Sequence, residues 1–207
     1  VKSGVSFIEA GCWVVGVACI SIYGLSRADA EIGRRVDVAK IAEARHPAEA
    51  RHPDLRSWSA GRIRAYEASL QAPTGPLLGT LSIPALALEV PLYGDTRELH
   101  LNRGVGLIER TPGPGLPGNM GIAGHRDGFF RALKDVRAGA EIEVRTLSTL
   151  YRYRVTDLQV VAATDARLLG PTAEPSVTLV TCYPFYFVGH APQRFVVRGV
   201  LISTQES

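Results

Sequence analysis

Cysteine is nearly absent from this chain. Cys12 and Cys19 lie one heptad apart inside an apolar segment near the start, and Cys182 stands alone in everything that follows. A single cysteine cannot staple its own domain, which leaves three readings for Cys182: a buried small hydrophobe, an intermolecular link or a reactive thiol. Lysine is almost as scarce, at Lys2, Lys40 and Lys134 only. The arginines are scattered among acids without a basic run, and the net charge of +3 is small for 207 residues. That distribution disfavours nucleic-acid binding. Nor does any group of histidines, cysteines and carboxylates have the spacing of a metal site.

What is present is enough to fold. Hydrophobic residues make up 46% of the chain and charged residues 21%, which allows a core in one ordinary domain plus an anchor or tail. Residues 5–25, VSFIEAGCWVVGVACISIYGL, are long and apolar enough to cross a bilayer, with Glu9 the one charge near the start. Trp13 and Tyr23 suit headgroup positions. A removable signal peptide is the rival, because Ala28-Asp29-Ala30 has the small-x-small form of a cleavage site, and a buried helix is a third reading. An uncleaved transmembrane anchor over residues 1–27 is the reading adopted. Lys2 on one side and Arg27, Arg34 and Arg35 on the other leave its orientation open.

Residues 28–72 read as a tether. AEARHP occurs there twice in tandem, too short a unit for a solenoid, and each proline interrupts a helix. His46 and His52 of that repeat have no metal-binding company. Residues 57–70 place Trp58, Ile63, Tyr66 and Leu70 near helical spacing, which predicts a helix packed onto the domain.

From residue 73 to 207 the pattern changes to short strands set off by glycine and proline. Strands are predicted over 79–83, 86–93, 119–125, 140–146, 149–164, 177–182 and 194–202. In the fifth, Tyr151, Tyr153 and Val155 alternate with Arg152 and Arg154, as a half-buried strand requires. Two brief helices are predicted, over 96–101 and 128–134. Such a series is a sandwich or a closed barrel, and periodicity alone does not choose between them.

Thiol catalysis needs a thiolate, a proton partner and a donor for the oxyanion. Cys182 ends an apolar strand, where a side chain emerges into a cleft. His125 also ends a strand, after Gly124, whose missing side chain leaves room for substrate or backbone. His190 lies in the loop after the cysteine, and His100 falls in a predicted helix in a satisfied structural role. Arg194 opens the last strand, sharing a face with Val196, Arg198 and Val200. A thiol beside an imidazole and a guanidinium is drawn towards its reactive thiolate, although the resting state of the pair stays open.

Four blocks, in order, resemble one family. Thr178-Leu179-Val180-Thr181-Cys182 matches the TLxTC signature of sortases, and Gly124-His125-Arg126-Asp127 with Phe129-Phe130 and Leu133 is similar to the block around the sortase histidine. Ala191-Pro192-Gln193-Arg194-Phe195-Val196-Val197-Arg198 resembles the block carrying the sortase arginine, and Gly79-Thr80-Leu81-Ser82-Ile83-Pro84 the opening strand. The likeness runs from about Trp58 to Ile202 and is nearest to class D-like sortases.

The resemblance implies a mainly β fold, an eight-stranded barrel with short helices and a groove leading to the cysteine. It implies that Cys182 attacks the Thr–Gly bond of an LPxTG-like sorting signal on an exported protein. The resulting acyl-enzyme thioester passes to an amine acceptor, a cell-wall precursor or a protein lysine. His125 would protonate the departing amine and deprotonate the incoming one. Arg194 would stabilise the oxyanion, with Thr181 assisting at the substrate and Arg198 the alternative arginine. His190 becomes groove wall or surface. No cofactor and no metal are implied, since no acidic cluster corresponds to the calcium site of some sortases. The anchored domain would face outward from the cytoplasmic membrane on a single span. Two rivals remain open: a sortase-fold hydrolase with water as acceptor, and a non-catalytic anchored binding module. A papain-like protease fits poorly, because the cysteine comes late in a strand-rich chain.

Overall fold

The computed structural model describes residues 53–73, 75, 77–186 and 191–206. Residues 5–25, His46, His52 and His190 lie outside that range. Among the described residues, no helix is long and apolar enough to cross a membrane.

Among the described residues, two α-helices and eight strands make up the framework. Helix α1 spans Ala60–Leu70 and α2 spans Glu98–Arg103. The strands are β1 (Leu77–Ile83), β2 (Leu88–Tyr93), β3 (Val105–Leu107), β4 (Asn119–Ala123), β5 (Glu141–Arg145), β6 (Thr149–Ala162), β7 (Ser176–Tyr183) and β8 (Gln193–Glu206). They close into a barrel in the order β1-β2-β3-β4-β7-β8-β6-β5, with β1 paired to β2 on one side and β5 on the other. The pairs β2–β3 and β4–β7 are parallel and all others antiparallel. Each parallel pair needs a crossover. Helix α2 lies in the first, and β5, β6 and a 3-10 turn at Ala166–Leu169 lie in the second.

Alternation along the strands builds the interior. Ile142 and Val144 of β5 face Tyr153 and Tyr151 of β6, as the predicted pattern requires, and both β5 residues are fully buried. Leu81, Ile83, Leu92, Ile122, Leu179 and Val197 are also fully buried, each contributing roughly 1.5–3 kcal/mol of apolar transfer. The strand expected from residue 86 starts later. Pro84–Leu86 form a 3-10 turn that ends at Ala87 in the left-handed region (φ 50°), and β2 follows it. Strand β3 was not anticipated, because three residues show no periodicity.

Helix α1 starts where its capping chemistry predicts, with the Ser59 side chain accepting from the Arg62 N–H. Trp58 and Tyr66 meet the Phe129 ring edge-on, with centroids 5.0 and 6.1 Å away. Arg103 donates to the carbonyls of Leu70 and Ala72 beyond the helix. Leu70 itself is exposed, so the packed face is that of Trp58 and Tyr66. Phe129 opens the 3-10 segment Phe129–Asp135, four residues after His125, and α1 is thereby seated on that turn.

Candidate active site

Three adjacent strands bring the expected residues together. In the antiparallel ladder of β7 and β8, Cys182 is directly opposite Arg194, Val180 opposite Val196, and Thr178 opposite Arg198. In the parallel ladder of β4 and β7, Gly121 pairs with Thr178 and Ala123 with Val180. The ladder continues one step, with the Gly124 N–H donating to the Val180 carbonyl at 3.2 Å. His125 follows two residues after β4 ends at Ala123. Residues two apart on a strand share a face, so Cys182 and Arg194 form one row on the outer face of the barrel, and the chain leaving β4 carries His125 towards it. Ala123, Val180 and Val196 form the next row.

The inner face braces this row. Thr181, expected to assist at the substrate, is buried on the face opposite that of Cys182, and its hydroxyl donates to the Gly124 carbonyl at 2.8 Å. It therefore clamps the ends of β4 and β7 together immediately beneath the histidine and the cysteine. Gly124 is needed for packing rather than for approach of a substrate. A Cβ there would lie 2.7 Å from the buried Phe130 ring, which occupies the space that the missing side chain leaves.

Arg194 donates through one nitrogen to the carbonyls of Ala191 and Gln193, at 3.2 and 2.9 Å, which folds the guanidinium against the approach to β8. Arg198 lies two rows away and donates to the Leu168 carbonyl at 3.2 Å, on the 3-10 turn Ala166–Leu169. Asn119 holds that turn from below. Its amide donates to the carbonyls of Leu168 and Gly170, and its carbonyl accepts from the hydroxyls of Thr178 and Ser176. Arg126 reaches across to the Pro184 carbonyl at 3.3 Å and joins the histidine loop to the chain leaving Cys182.

His125 is mostly covered, with 22% of its side chain exposed. Burial pushes its pKa below the usual 6.5, and the Arg62 guanidinium adds to that effect, while Glu98 and Asp127 oppose it in part. The imidazole is therefore neutral at pH 7 and able to accept a proton from a thiol. His100 plays no part in this row. Fully buried, it sets Nδ1 at 2.6 Å from Asp95, accepts the Gly75 N–H at Nε2, and stacks on Tyr93 with centroids 4.5 Å apart. No group of three or more metal-ligating side chains occurs among the described residues.

Sequence reasoning passed over Arg62 and Glu98, the two charged residues of the helices that face His125. One signal for Arg62 was present: it lies four residues after Trp58 and four before Tyr66, on the face of α1 that packs against the barrel. A charge in the middle of a buried face needs a partner.

Comparison with known proteins agrees with this geometry. The Sortase domain family matches residues 81–202. Sortase D of Bacillus subtilis (strain 168) is 30% identical over 134 residues, covering 64% of this chain and 68% of that protein. Sortase A of Bacillus anthracis is 26% identical over 133 residues, and the chain spans 61% of its length. Among solved structures, a Clostridium perfringens sortase D5 transpeptidase superposes with a TM-score of 0.56 at 24% identity, covering 68% of this chain and 89% of that one. With the family matching most of the barrel and a relative 30% identical over 68% of its length, the chain belongs to the sortases, the cysteine transpeptidases.

Proposed function

We propose that Cys182 is the nucleophile of a transpeptidase that cleaves an LPxTG-like sorting signal between Thr and Gly. The observation that supports this most directly is the row that Cys182 and Arg194 form across β7 and β8, next to the strand β4 that leads into His125. Burial keeps the His125 imidazole below its usual pKa, which suits it to accept the thiol's proton.

The chemistry follows from the row. Cys182 passes its proton to His125, and the sulfur attacks the threonine carbonyl carbon. The carbonyl π electrons move to oxygen, and the oxyanion lies where Arg194 offers charge-assisted hydrogen bonds. Collapse breaks the C–N bond, with the imidazolium protonating the departing glycine amine, and leaves a thioester on Cys182. An acceptor amine, from a cell-wall precursor or a protein lysine, then attacks the thioester. His125 takes the amine's proton, collapse of the tetrahedral intermediate breaks the C–S bond, and the imidazolium returns that proton to the departing sulfur. Thr181 serves the reaction from below through its grip on Gly124. The apolar segment at residues 5–25 suits a single-span anchor that holds the barrel outside the cytoplasm, where exported substrates are met.

The test is product analysis on an LPxTG-type peptide, with and without an added amine. The reading expects an LPxT–amine conjugate from the wild-type chain, and no turnover from Cys182→Ala or His125→Ala. Hydrolysed LPxT alone, even at high amine concentration, would make the enzyme a hydrolase. Unchanged turnover in Cys182→Ala would remove the thiol from the reaction.

A further inference from the structure

Helix α1 does more than cover an apolar surface. Arg62, with only 15% of its side chain exposed, projects into the loop that carries His125. Its Nε donates to Asp127 Oδ1 at 3.1 Å, one of its terminal nitrogens bonds Asn102, and the same nitrogen lies 3.7 Å from Glu98 Oε1. That Glu98 oxygen is also 3.2 Å from His125 Nε2, at ion-pair distance but not aligned as a hydrogen bond, and Nε2 has no hydrogen-bond partner among the described residues. One guanidinium thus ties together helix α1, helix α2 and the histidine loop, while one carboxylate oxygen is shared between that guanidinium and the imidazole.

We propose that Arg62 and Glu98 are positioning residues for His125: Arg62 pins the carboxylate, and the carboxylate holds the Nε2 side of the ring so that Nδ1 faces the thiol. The inference rests on the proposed role of His125. Its physical logic is that of a base whose far nitrogen is oriented by an acceptor. It differs from an ordinary buried triad, because the carboxylate side chain is 68% exposed and takes its placement from Arg62. Asp127, on the histidine's own loop, fixes the other side of the guanidinium.

The charges facing the ring from each element are Arg62 of α1, Glu98 of α2 and Asp127 of its own loop. Arg62 opposes protonation of the imidazole and Glu98 favours it. Removing each should therefore move the titration of His125 in opposite directions, which a merely structural contact would not do. Aromatic packing of Trp58 and Tyr66 on Phe129 keeps α1 seated when the Arg62 charge is removed.

The experiment is an NMR titration of the His125 ring in the full chain, paired with peptide-cleavage kinetics, for wild type, Arg62→Gln, Arg62→Lys and Glu98→Gln. The midpoint should rise in Arg62→Gln, fall in Glu98→Gln and stay near wild type in Arg62→Lys. In Arg62→Gln, kcat should fall about tenfold with KM changed by less than about twofold, because misplacement affects the transition state and not substrate binding. Glu98→Gln, at an exposed position, tests the same point without risk to folding. Midpoints that stay put, or that move together, with kcat unchanged in both variants, would overturn the inference. If that happens while His125→Ala is dead, only the positioning role fails. If His125→Ala is itself active, the reading beneath it fails first.

Discussion

Cys182 and Arg194 are directly opposite in the antiparallel ladder of β7 and β8, so a thiol and a guanidinium leave the same face one cross-strand spacing apart. One guanidinium nitrogen donates to the carbonyls of Ala191 and Gln193, and in the proposed mechanism another N–H of the group serves the developing oxyanion. Arg194→Ala should lower kcat by about 10²–10³-fold, the usual loss for one oxyanion donor, with a smaller effect on KM. Arg194→Lys should recover part of the rate, because a point charge replaces a planar fork. Steady-state kinetics on a peptide decide the matter. Full activity in Arg194→Ala beside a dead Arg198→Ala would move the role two rows along the strand.

In the proposed mechanism Thr181 acts through the Gly124 carbonyl, to which its buried hydroxyl donates at 2.8 Å. Thr181→Val keeps the volume and deletes the hydroxyl, leaving that carbonyl without its side-chain donor, at a cost of about 1–3 kcal/mol. Thermal unfolding should show the loss, kcat should fall and KM should hardly change, whereas Thr181→Ser should keep most of the rate. A large rise in KM in Thr181→Val would place the hydroxyl at the substrate instead.

Gly124 is fixed by Phe130. Gly124→Ala places a Cβ 2.7 Å from the Phe130 ring and 3.0 Å from Val105, an overpacking that should cost about 1–3 kcal/mol in chemical denaturation. Trimming the ring in Gly124→Ala/Phe130→Leu should make the pair less destabilising than the sum of the single changes. Additive losses would show that the ring is not what excludes the methyl group.

The depressed pKa of His125 makes stability depend on pH in a definite direction. The unfolded chain binds a proton at this site below about 6.5, where the folded chain resists it. Stability therefore rises with pH through this range, and the contribution is lost as pH falls from about 6.5 towards the lower folded value. Melting temperatures between neutral and mildly acidic pH should fall more steeply for wild type than for His125→Gln. Parallel curves would mean that His125 titrates alike in both states.

Much of the barrel was legible because its strands are amphipathic. The alternation of Tyr151, Tyr153 and Val155 against arginines predicted β6, and β5 supplies Ile142 and Val144 to the same interior. Closure was not legible from periodicity, since a sandwich has the same period. It depends on β1 finding β5, a pairing set by the whole sheet. Strand β3 is too short to have a pattern, and the left-handed Ala87 that delays β2 has no sequence signature. At the site, Cys182 and Arg194 were recognisable near strand ends and their pairing follows from the β7–β8 register, whereas the strand expected to reach His125 stops at Ala123 and leaves the histidine in the loop beyond it. The role of Gly124 was misread, because its neighbour Phe130 is six residues on and folds back over it. Arg62 escaped notice because its partners, Asp127 and Glu98, are remote in sequence and meet it only in the fold.

The central claim is that Cys182 carries an acyl group during the reaction. Intact-mass spectrometry of the chain mixed with an LPxTG-type peptide, without acceptor, tests it directly, with peptide mapping to locate any adduct. The account predicts a thioester adduct of LPxT mass on Cys182, absent from Cys182→Ala and discharged when an amine is added. An adduct on another residue, or turnover of the peptide by Cys182→Ala, would contradict it.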